Sequence, residues 1–363
     1  MRNWNFVYLF VFAAIALMLQ ACGEEGGESD PEVSDFTNLL TNQIDEVITP
    51  TMVAYQTELT NFNSTIQSVT SMDEVTLSSI RTAFSDAYIA YQSAAVHDYF
   101  STSSIDLVDL TNLYPIDVTI LEDLIATESN RFSSGDHERA NGFPALDYML
   151  YGPSDVVSYF NEDQKRLAFL KSLVGDMKDR ADVLTDQWSG LRENFIEADG
   201  TSLGSAISGQ LNGSIAYYEF NVRENKVGIP IGRIGPNDSP ITPDGTKIEA
   251  YYRSQFDGND AFAIALVRAA VEEMEDLYLG TTSSGSDGQG YDELLNARDQ
   301  SSLDTDIKAQ FQLIINELNG RTSITEDNNT DLYDAIQGLV TLFKSDMLPV
   351  LNVQDADGAN DGD

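Results

Sequence analysis

Apolar residues recur with the period of an amphipathic helix in four segments of the chain. The four stripes are Phe84, Tyr88, Tyr91 and Ala95; Leu167, Leu170, Val174, Met177, Ala181 and Leu184; Ile307, Phe311, Ile314, Ile315 and Leu318; and Leu332, Ile336, Leu339, Val340, Phe343 and Met347. Steps of three and four residues place each stripe on one helical face. Sustained alternation typical of strands is scarce. The pattern therefore predicts an all-α protein whose helices bury their stripes against one another, as in bundles.

The length of the chain favours two helical bundles. We expect an N-terminal bundle over residues 35–195 and a C-terminal bundle over residues 196–354. Residues 189–201 hold turn residues and few apolar anchors, so they are the predicted boundary. Residues 227–245 contain four prolines and are predicted to be irregular, and residues 281–290 form a Gly/Ser/Asp loop.

The N-terminus has the pattern of a lipoprotein signal peptide. A short apolar run at residues 6–19 follows Arg2, and Cys22, the single cysteine of the chain, comes directly after Leu19-Gln20-Ala21. The run is too short for a typical membrane-spanning helix. We predict a signal peptide at residues 1–21, lipid on Cys22 and a flexible tether at residues 22–34. The alternative is an uncleaved anchor.

Acidic residues dominate the charge of the chain. It has 59 Asp and Glu against 20 Lys and Arg, a formal net charge of −39. This field disfavours nucleic acid and favours cationic ligands, but the preferred interpretation of the acidic charge is adaptation to a salty exterior. The C-terminal residues 355–363 alternate Asp and Asn in part like a calcium loop, but no glutamate follows at the required spacing. They are interpreted as an acidic tail.

The most specific segment is residues 141–152, NGFPALDYMLYG. Gly142 gives backbone freedom, and Pro144 suits the first turn of a helix. Asp147 follows three residues later on the same side. This segment resembles the signature of the imelysin family, G-x-H-x-x-E. Gly142 matches its glycine, whereas Pro144 stands at the histidine position and Asp147 at the glutamate position.

Further segments resemble the family in the same order along the chain. They are the turn of Asn112 and Tyr114, the segment from Glu219 through Arg223 and Lys226, and the helix start at Glu249. The resemblance implies two helical bundles packed around an interdomain cleft, which the signature and the second-half segment line. It also implies a cell-envelope protein, some members of the family being metal-binding components of iron uptake.

The metal chemistry of the signature is altered in this chain. Histidine and glutamate three residues apart on one helix face can hold a metal ion together. Here only His97 and His137 remain, so a three-histidine zinc site is impossible. His97 is interpreted as a helix-end residue and His137 as an exposed loop residue. Asp147 remains the candidate ligand for iron or another divalent cation in an oxygen-built site.

The same residues allow a purely structural interpretation. Glu219 and Arg223 are four residues apart and are expected to form an ion pair. Lys226 is expected to reach Asp147, so Asp147, Arg223 and Lys226 form either a buried salt-bridge network or a ligand site. The residues predicted at this ligand-binding or interdomain site are Asn112, Tyr114, Gly142, Pro144, Asp147, Glu219, Arg223, Lys226 and Glu249.

Three functional hypotheses follow. The leading one is a non-enzymatic, lipid-anchored protein of the outer membrane, facing the periplasm or the surface, that binds a metal ion or metal-bearing ligand in iron uptake. An uptake receptor in the outer membrane is its expected partner. The second is an imelysin-type metallopeptidase, which the missing histidine disfavours. The third is an envelope module that binds a protein or peptide in the cleft.

Overall fold

The apolar stripes of the sequence fold as helices whose buried faces meet in one core. A computed structural model describes residues 33–99, 107–130, 132, 138–234, 243–325 and 330–354. Within these ranges the regular secondary structure is helical and no strand is present. The predicted all-α class is therefore confirmed.

Eight α-helices make up the first half of this described chain. They are α1 (Val33–Asn42), α2 (Thr49–Gln67), α3 (Glu74–Ala95), α4 (Leu107–Thr111), α5 (Val118–Ala126), α6 (Gly142–Tyr151), α7 (Val156–Glu162) and α8 (Gln164–Glu197). A π-helical segment, Gln43–Ile48, joins α1 to α2, and a short 3₁₀ turn, Glu138–Ala140, precedes α6. Helix α2 packs along both α3 and α8. Aspartates at the N-caps of α3, α5 and α8 accept backbone amides and so fix where these helices begin.

The second half continues with seven α-helices in the described residues. They are α9 (Ala206–Tyr217), α10 (Tyr251–Asp257), α11 (Ala261–Leu279), α12 (Tyr291–Ala297), α13 (Ser301–Leu318), α14 (Thr330–Thr341) and α15 (Leu348–Val350). Two π-helical segments, Tyr218–Gly228 and Leu342–Met347, extend α9 and α14, and a 3₁₀ turn, Gly245–Lys247, precedes α10. Helix α11 packs against α3 of the first half and against α13.

The predicted stripes lie in the core. All members of the stripes in α3, α8 and α14 with its π-helical extension are buried, and in α13 only Ile315 is partly exposed. An aromatic group surrounds Phe84, whose ring lies 5.5 Å from that of Tyr88 and 6.1 Å from that of Phe143. The aromatic stripe is therefore core, as the helical spacing predicted.

The helix boundaries near residue 195 differ from the prediction. Helix α8 continues to Glu197 through most of the stretch that was expected to be a turn. Its polar residues suit an exposed helix surface, and buried Phe195 anchors this end. Likewise, helix α1 begins at Val33, inside the expected tether, and the π-helix continues to Gly228 inside the expected irregular loop. The loop at residues 281–290 is confirmed.

The two halves of the chain share their core. Buried residues of both halves form one cluster, and residues 35–363 form one compact unit. The side-chain Nε2 of Gln43, in the π-helical segment between α1 and α2, donates to the backbone carbonyl of Leu277 in α11 at 2.8 Å. A division into two bundles near residue 195 stays a prediction.

Several predictions concern residues outside the described part of the chain. These are the signal peptide, the lipid on Cys22, His137 and the acidic tail. None of the helices that the structure describes combines the length and apolar character needed to cross a membrane.

Candidate functional site

The signature segment forms helix α6, and Gly142 at its first position is sterically required. Gly142 has a φ of +65°, which L-residues with side chains rarely adopt. A Cβ on it would lie 1.9 Å from the carbonyl oxygen of Thr111. The start of α6 therefore lies against the backbone of Thr111, the last residue of α4, which brings the two segments together.

Asp147 joins α6 to the first turn of α10. It is 2 % exposed. Its Oδ2 accepts the backbone N–H of Tyr252 at 2.8 Å, and its Oδ1 accepts that of Arg253 at 3.0 Å. Burial raises the pKa of Asp147 to about 7, although the two amides and the Arg253 charge favour the carboxylate. The role of this carboxylate in the fold is to hold α10 in place.

Lys226 pairs with Glu249, so the predicted pair with Asp147 is wrong. The Lys226 Nζ lies 2.5 Å from Oε2 of Glu249, and these residues are 2 % and 1 % exposed. Glu249 lies just before α10 and brings its negative charge to the lysine, while Asp147 is occupied by backbone amides. Burial lowers the pKa of Lys226, and the Glu249 carboxylate opposes this shift.

Two amide side chains complete the surroundings of Glu249. Its Oε1 accepts from Nδ2 of Asn112 at 2.6 Å and from Nε2 of Gln92 at 2.8 Å. The Oδ1 of Asn112 accepts the hydroxyl of Tyr88 at 2.6 Å. Asn112 was expected to shape a turn, and it also links α3 and α4 to this buried ion pair.

Arg223 belongs to a different network. It lies 3.2 Å from Glu219, which confirms the expected ion pair four residues apart, and Lys344 lies 3.1 Å from the other oxygen of Glu219. Arg223 also donates to Gln337 of α14 at 2.5 Å. The expected network of Asp147 with Arg223 and Lys226 is therefore wrong, because the π-helix directs Arg223 toward α14.

Two adjoining cavities open beside these groups. The first, of about 270 Å³, is lined by Tyr114, Pro115, Ile116, Pro144, Asp147, Thr246, Ile248, Ala250, Tyr251 and Tyr252. The second, of about 260 Å³, is lined by Tyr91, Val108, Asn112, Leu113, Tyr114, Pro115, Arg139, Tyr217, Asn221, Asn225, Lys226, Ile229 and Lys247. Tyr114 and Pro115 line both cavities. Of the predicted site residues, Asn112, Tyr114, Pro144, Asp147 and Lys226 contribute to these walls.

The hydroxyl of Tyr114 is an unusual group between the two cavities. It is buried and has no hydrogen-bond partner among the residues that the structure describes. Burial raises the pKa of this phenol well above its usual range, so it stays a neutral donor at ordinary pH. A buried polar group without a partner is rare in proteins, and this one belongs to a residue that lines both cavities.

The second cavity, which we call the cationic cavity, concentrates positive charge. Arg139, Lys226 and Lys247 line it, and no carboxylate is among its described lining residues, although Glu249 behind the wall balances the charge of Lys226. Within the described residues, Arg139 donates to the backbone carbonyl of Pro115, and Lys247 lies near enough to Asp244 for their charges to interact. This grouping of basic side chains is unexpected in a chain with 59 acidic and 20 basic residues. Such a wall suits an anionic ligand.

Arg139 and Lys247 were missed by the sequence reasoning. A signal was present, because each is a rare basic residue two positions before a predicted site segment, Asn141 and Glu249.

The structure places His97 outside the two cavities. It is fully buried directly after the end of α3, with its Nε2 2.6 Å from Glu273, so the helix-end interpretation is confirmed.

The residues at Asp147 do not fit a resident metal ion. Both carboxylate oxygens already accept backbone amides, and buried Pro144 offers no donor where the family has histidine. In the described residues, the one group of three carboxylate, histidine or cysteine side chains with metal-like spacing lies elsewhere, at Asp287, Asp292 and Glu293.

The helices, the signature segment and the adjoining cavities define an all-helical protein with two cavities beside α6. The chain belongs to the imelysin family, since the family model Peptidase_M75: Imelysin matches residues 48–345. Among curated proteins, none has a significantly similar sequence.

Two solved structures have a similar fold. One is an imelysin-like protein from Psychrobacter arcticum 273-4, with a TM-score of 0.70 and 15% identity over 90% of this chain and 98% of that chain. The other is a precursor from Parabacteroides distasonis ATCC 8503 that carries the provisional name iron-regulated protein A, with a TM-score of 0.70 and 16% identity over 90% of this chain and 96% of that chain. At these identities the likeness shows the fold alone.

Proposed function

We propose that this chain is a non-enzymatic, lipid-anchored imelysin-family protein of the cell envelope that binds an anionic, metal-bearing ligand in the cationic cavity and serves iron uptake. The observation that carries the proposal is the charge of that cavity. Arg139 and Lys247 line it beside Lys226, whose charge Glu249 balances, and no carboxylate is among its described lining residues, in a chain of net charge −39.

An anionic chelate fits this wall better than a bare cation does. Arg139 and Lys247 would repel a free metal ion, and Asn112, Asn221 and Asn225 add neutral polar groups around them. Chelated ferric iron presents an outer surface of carboxylate, catecholate or hydroxamate oxygens. Guanidinium and ammonium groups bind such oxygens through charge-assisted hydrogen bonds.

The acidic exterior does not prevent such binding. Charges on the surface are screened beyond roughly 8–10 Å at physiological ionic strength. Arg139 is exposed and Lys247 is partly buried, so they can act at short range on a ligand at the cavity, while the distant acidic surface is screened. Iron as the metal is supported by the provisional name of the Parabacteroides distasonis relative.

Calorimetric titration with ferric citrate, citrate and ferrous ion tests the proposal. We expect saturable binding of ferric citrate, and the double variant Arg139→Gln/Lys247→Gln should weaken it about tenfold or more, as loss of charge-assisted hydrogen bonds predicts. The matched control is Arg268→Gln/Lys165→Gln, which removes the same charge from side chains outside the cavity. Equal weakening in the control, or binding of ferrous ion with none of the chelate, would contradict the proposal.

The anchor is tested separately. Radiolabelled palmitate should label the wild-type protein in cells, and Cys22→Ser should lose both the label and the membrane fraction. Isolation of the labelled protein from solubilised envelope should then recover an outer-membrane receptor, as an uptake role requires. A Cys22→Ser protein that stays in the membrane would favour the uncleaved anchor instead.

A further inference from the structure

The loop between α11 and α12 carries an acidic cluster that the cavities do not include. Asp287 lies exposed in the loop at residues 281–290, and Asp292 and Glu293 lie in the first turn of α12. One carboxylate oxygen from each residue lies within 4.8 Å of those from the other two. Oxygens bound to one Ca²⁺ at about 2.3–2.6 Å lie no farther than roughly 5 Å apart.

One carboxylate oxygen of Asp292 receives no hydrogen bond from an N–H or hydroxyl donor of the described residues. The residue is 3 % exposed, and its Oδ2 accepts from Nζ of Lys308 at 2.8 Å. Its Oδ1 is buried and lacks a hydrogen-bond partner among the described residues. Buried carboxylate oxygens are normally paired, so this one indicates a missing positive partner.

The closeness of the three carboxylates is a second indication of a bound cation. The Oε2 of Glu293 accepts the backbone N–H of Gly290 at 2.6 Å. The carboxyl group of Glu293 also lies within hydrogen-bonding reach of the Asp292 carboxyl group. Lys308 does not balance the cluster, because it is half exposed and shared with Asp304. Either a cation or a proton on Glu293 can relieve this repulsion.

The backbone around the cluster is already fixed. The side-chain amide of Asn42 donates to the carbonyls of Gly280 at 2.7 Å and Gln289 at 3.2 Å, at the two ends of the loop. A Cβ on Gly288 would lie 2.2 Å from the carbonyl of Gly280, so the loop closes tightly on itself. Of the three carboxylate side chains, that of Asp287 is the exposed one.

We propose that Asp287, Asp292 and Glu293 bind one Ca²⁺ ion, which fastens the loop at residues 281–290 to α12. The set contains oxygen ligands only, as a hard cation prefers, and water completes the coordination. Calcium tolerates the irregular geometry of a partly exposed loop, whereas magnesium requires near-ideal octahedral geometry. The ion is structural and lies apart from the cationic cavity.

Thermal unfolding and calorimetry of the chelator-treated protein test this site. Calcium at about 10⁻³ M, the range of extracellular calcium modules, should raise the unfolding midpoint and give saturable heat. Asp287→Asn should weaken calcium binding at least tenfold and leave the metal-free midpoint unchanged, because the side chain is exposed. Asp306→Asn removes an equally exposed carboxylate from α13 and is the control, expected to respond as wild type.

Two results would overturn the calcium site. One is a wild-type protein whose midpoint and heat are unaffected by calcium, which would leave proton binding by Glu293 as the relief of the cluster. The other is an Asp287→Asn protein that responds as strongly as wild type. The Arg139→Gln/Lys247→Gln variant should keep its full calcium response, so failure of the proposed ligand function would leave this test intact.

Discussion

Asp147 and Asp292 both have buried carboxylates at the start of a helix, that of Asp147 against the first turn of α10 and that of Asp292 in the first turn of α12. They differ in how many carboxylate oxygens are left to bind a ligand. Both oxygens of Asp147 accept backbone amides from the first turn of α10. Asp292 pairs one oxygen with Lys308 and leaves the other without a partner in the described structure. The comparison teaches that position in a family motif does not make a carboxylate a metal ligand. Whether a carboxylate can bind a metal ion depends on how many hydrogen bonds its oxygens already accept.

Glu249 accepts three side-chain hydrogen bonds and balances a fully buried lysine, so its removal should have the largest effect. Glu249→Ala leaves Lys226 buried without its counter-charge, so we expect a loss of about 3–5 kcal/mol in the free energy of unfolding. Urea unfolding measures it. The double variant Lys226→Met/Glu249→Leu should recover most of this loss. If Glu249→Ala lowers the free energy of unfolding by less than about 1 kcal/mol, water rather than Glu249 would be stabilising the Lys226 charge.

Gly142 tests whether the signature turn serves the fold. Gly142→Ala places a Cβ against the Thr111 carbonyl at a positive φ. We expect a loss of roughly 2–4 kcal/mol, from backbone strain and the displaced turn. Gly190→Ala, at a helical position with open space around it, is the control and should be neutral or slightly stabilising. Equal effects at both positions would contradict the steric account.

Asp147→Asn should have a smaller effect with a defined pH dependence. An amide side chain accepts only one of the two backbone donors, so we expect a loss of about 1–3 kcal/mol. The folded chain raises the pKa of Asp147 from 3.8 to about 7. The folded state therefore binds the proton more tightly, and the contribution of Asp147 to stability falls as pH rises through this range.

The difference in unfolding free energy between wild type and Asp147→Asn should therefore shrink from pH 4 to pH 7. Most other titrations cancel in this difference, including those of the acidic surface. Urea unfolding of both proteins at several pH values measures it. A difference that grows with pH would show that the amides, rather than burial, set the pKa of Asp147.

Asp292→Asn should have the smallest effect on the metal-free protein. The variant loses the charge partner of Lys308 but also relieves the repulsion with Glu293, so we expect a change within about 1 kcal/mol. Removing the Asp292 charge should also lower the pKa of Glu293 below about 7. Titration of the Glu293 carboxyl by NMR measures this shift. An unchanged pKa would mean that burial alone raises it.

The sequence predicts the helices well and the pairing of polar groups poorly. The stripes in α3, α8, α13 and α14 fixed their buried faces, because helical period alone decides which side chains share a face. The role of Gly142 followed from its motif. The partners of Asp147 and Lys226 did not, because they depend on how α10 lies against α6 and the π-helix. The sequence predicted a helix start at Glu249, whereas α10 begins at Tyr251 after a left-handed Ala250. Arg139 and Lys247 were overlooked for the same reason, since their common cavity forms only on folding.

The most direct test of the comparison is a crystal soaked in Ca²⁺ and measured by anomalous scattering at long wavelength. We predict a peak between the carboxylates of Asp287, Asp292 and Glu293, and no peak within coordination distance of Asp147. A peak at Asp147, with none at the loop cluster, would contradict the account.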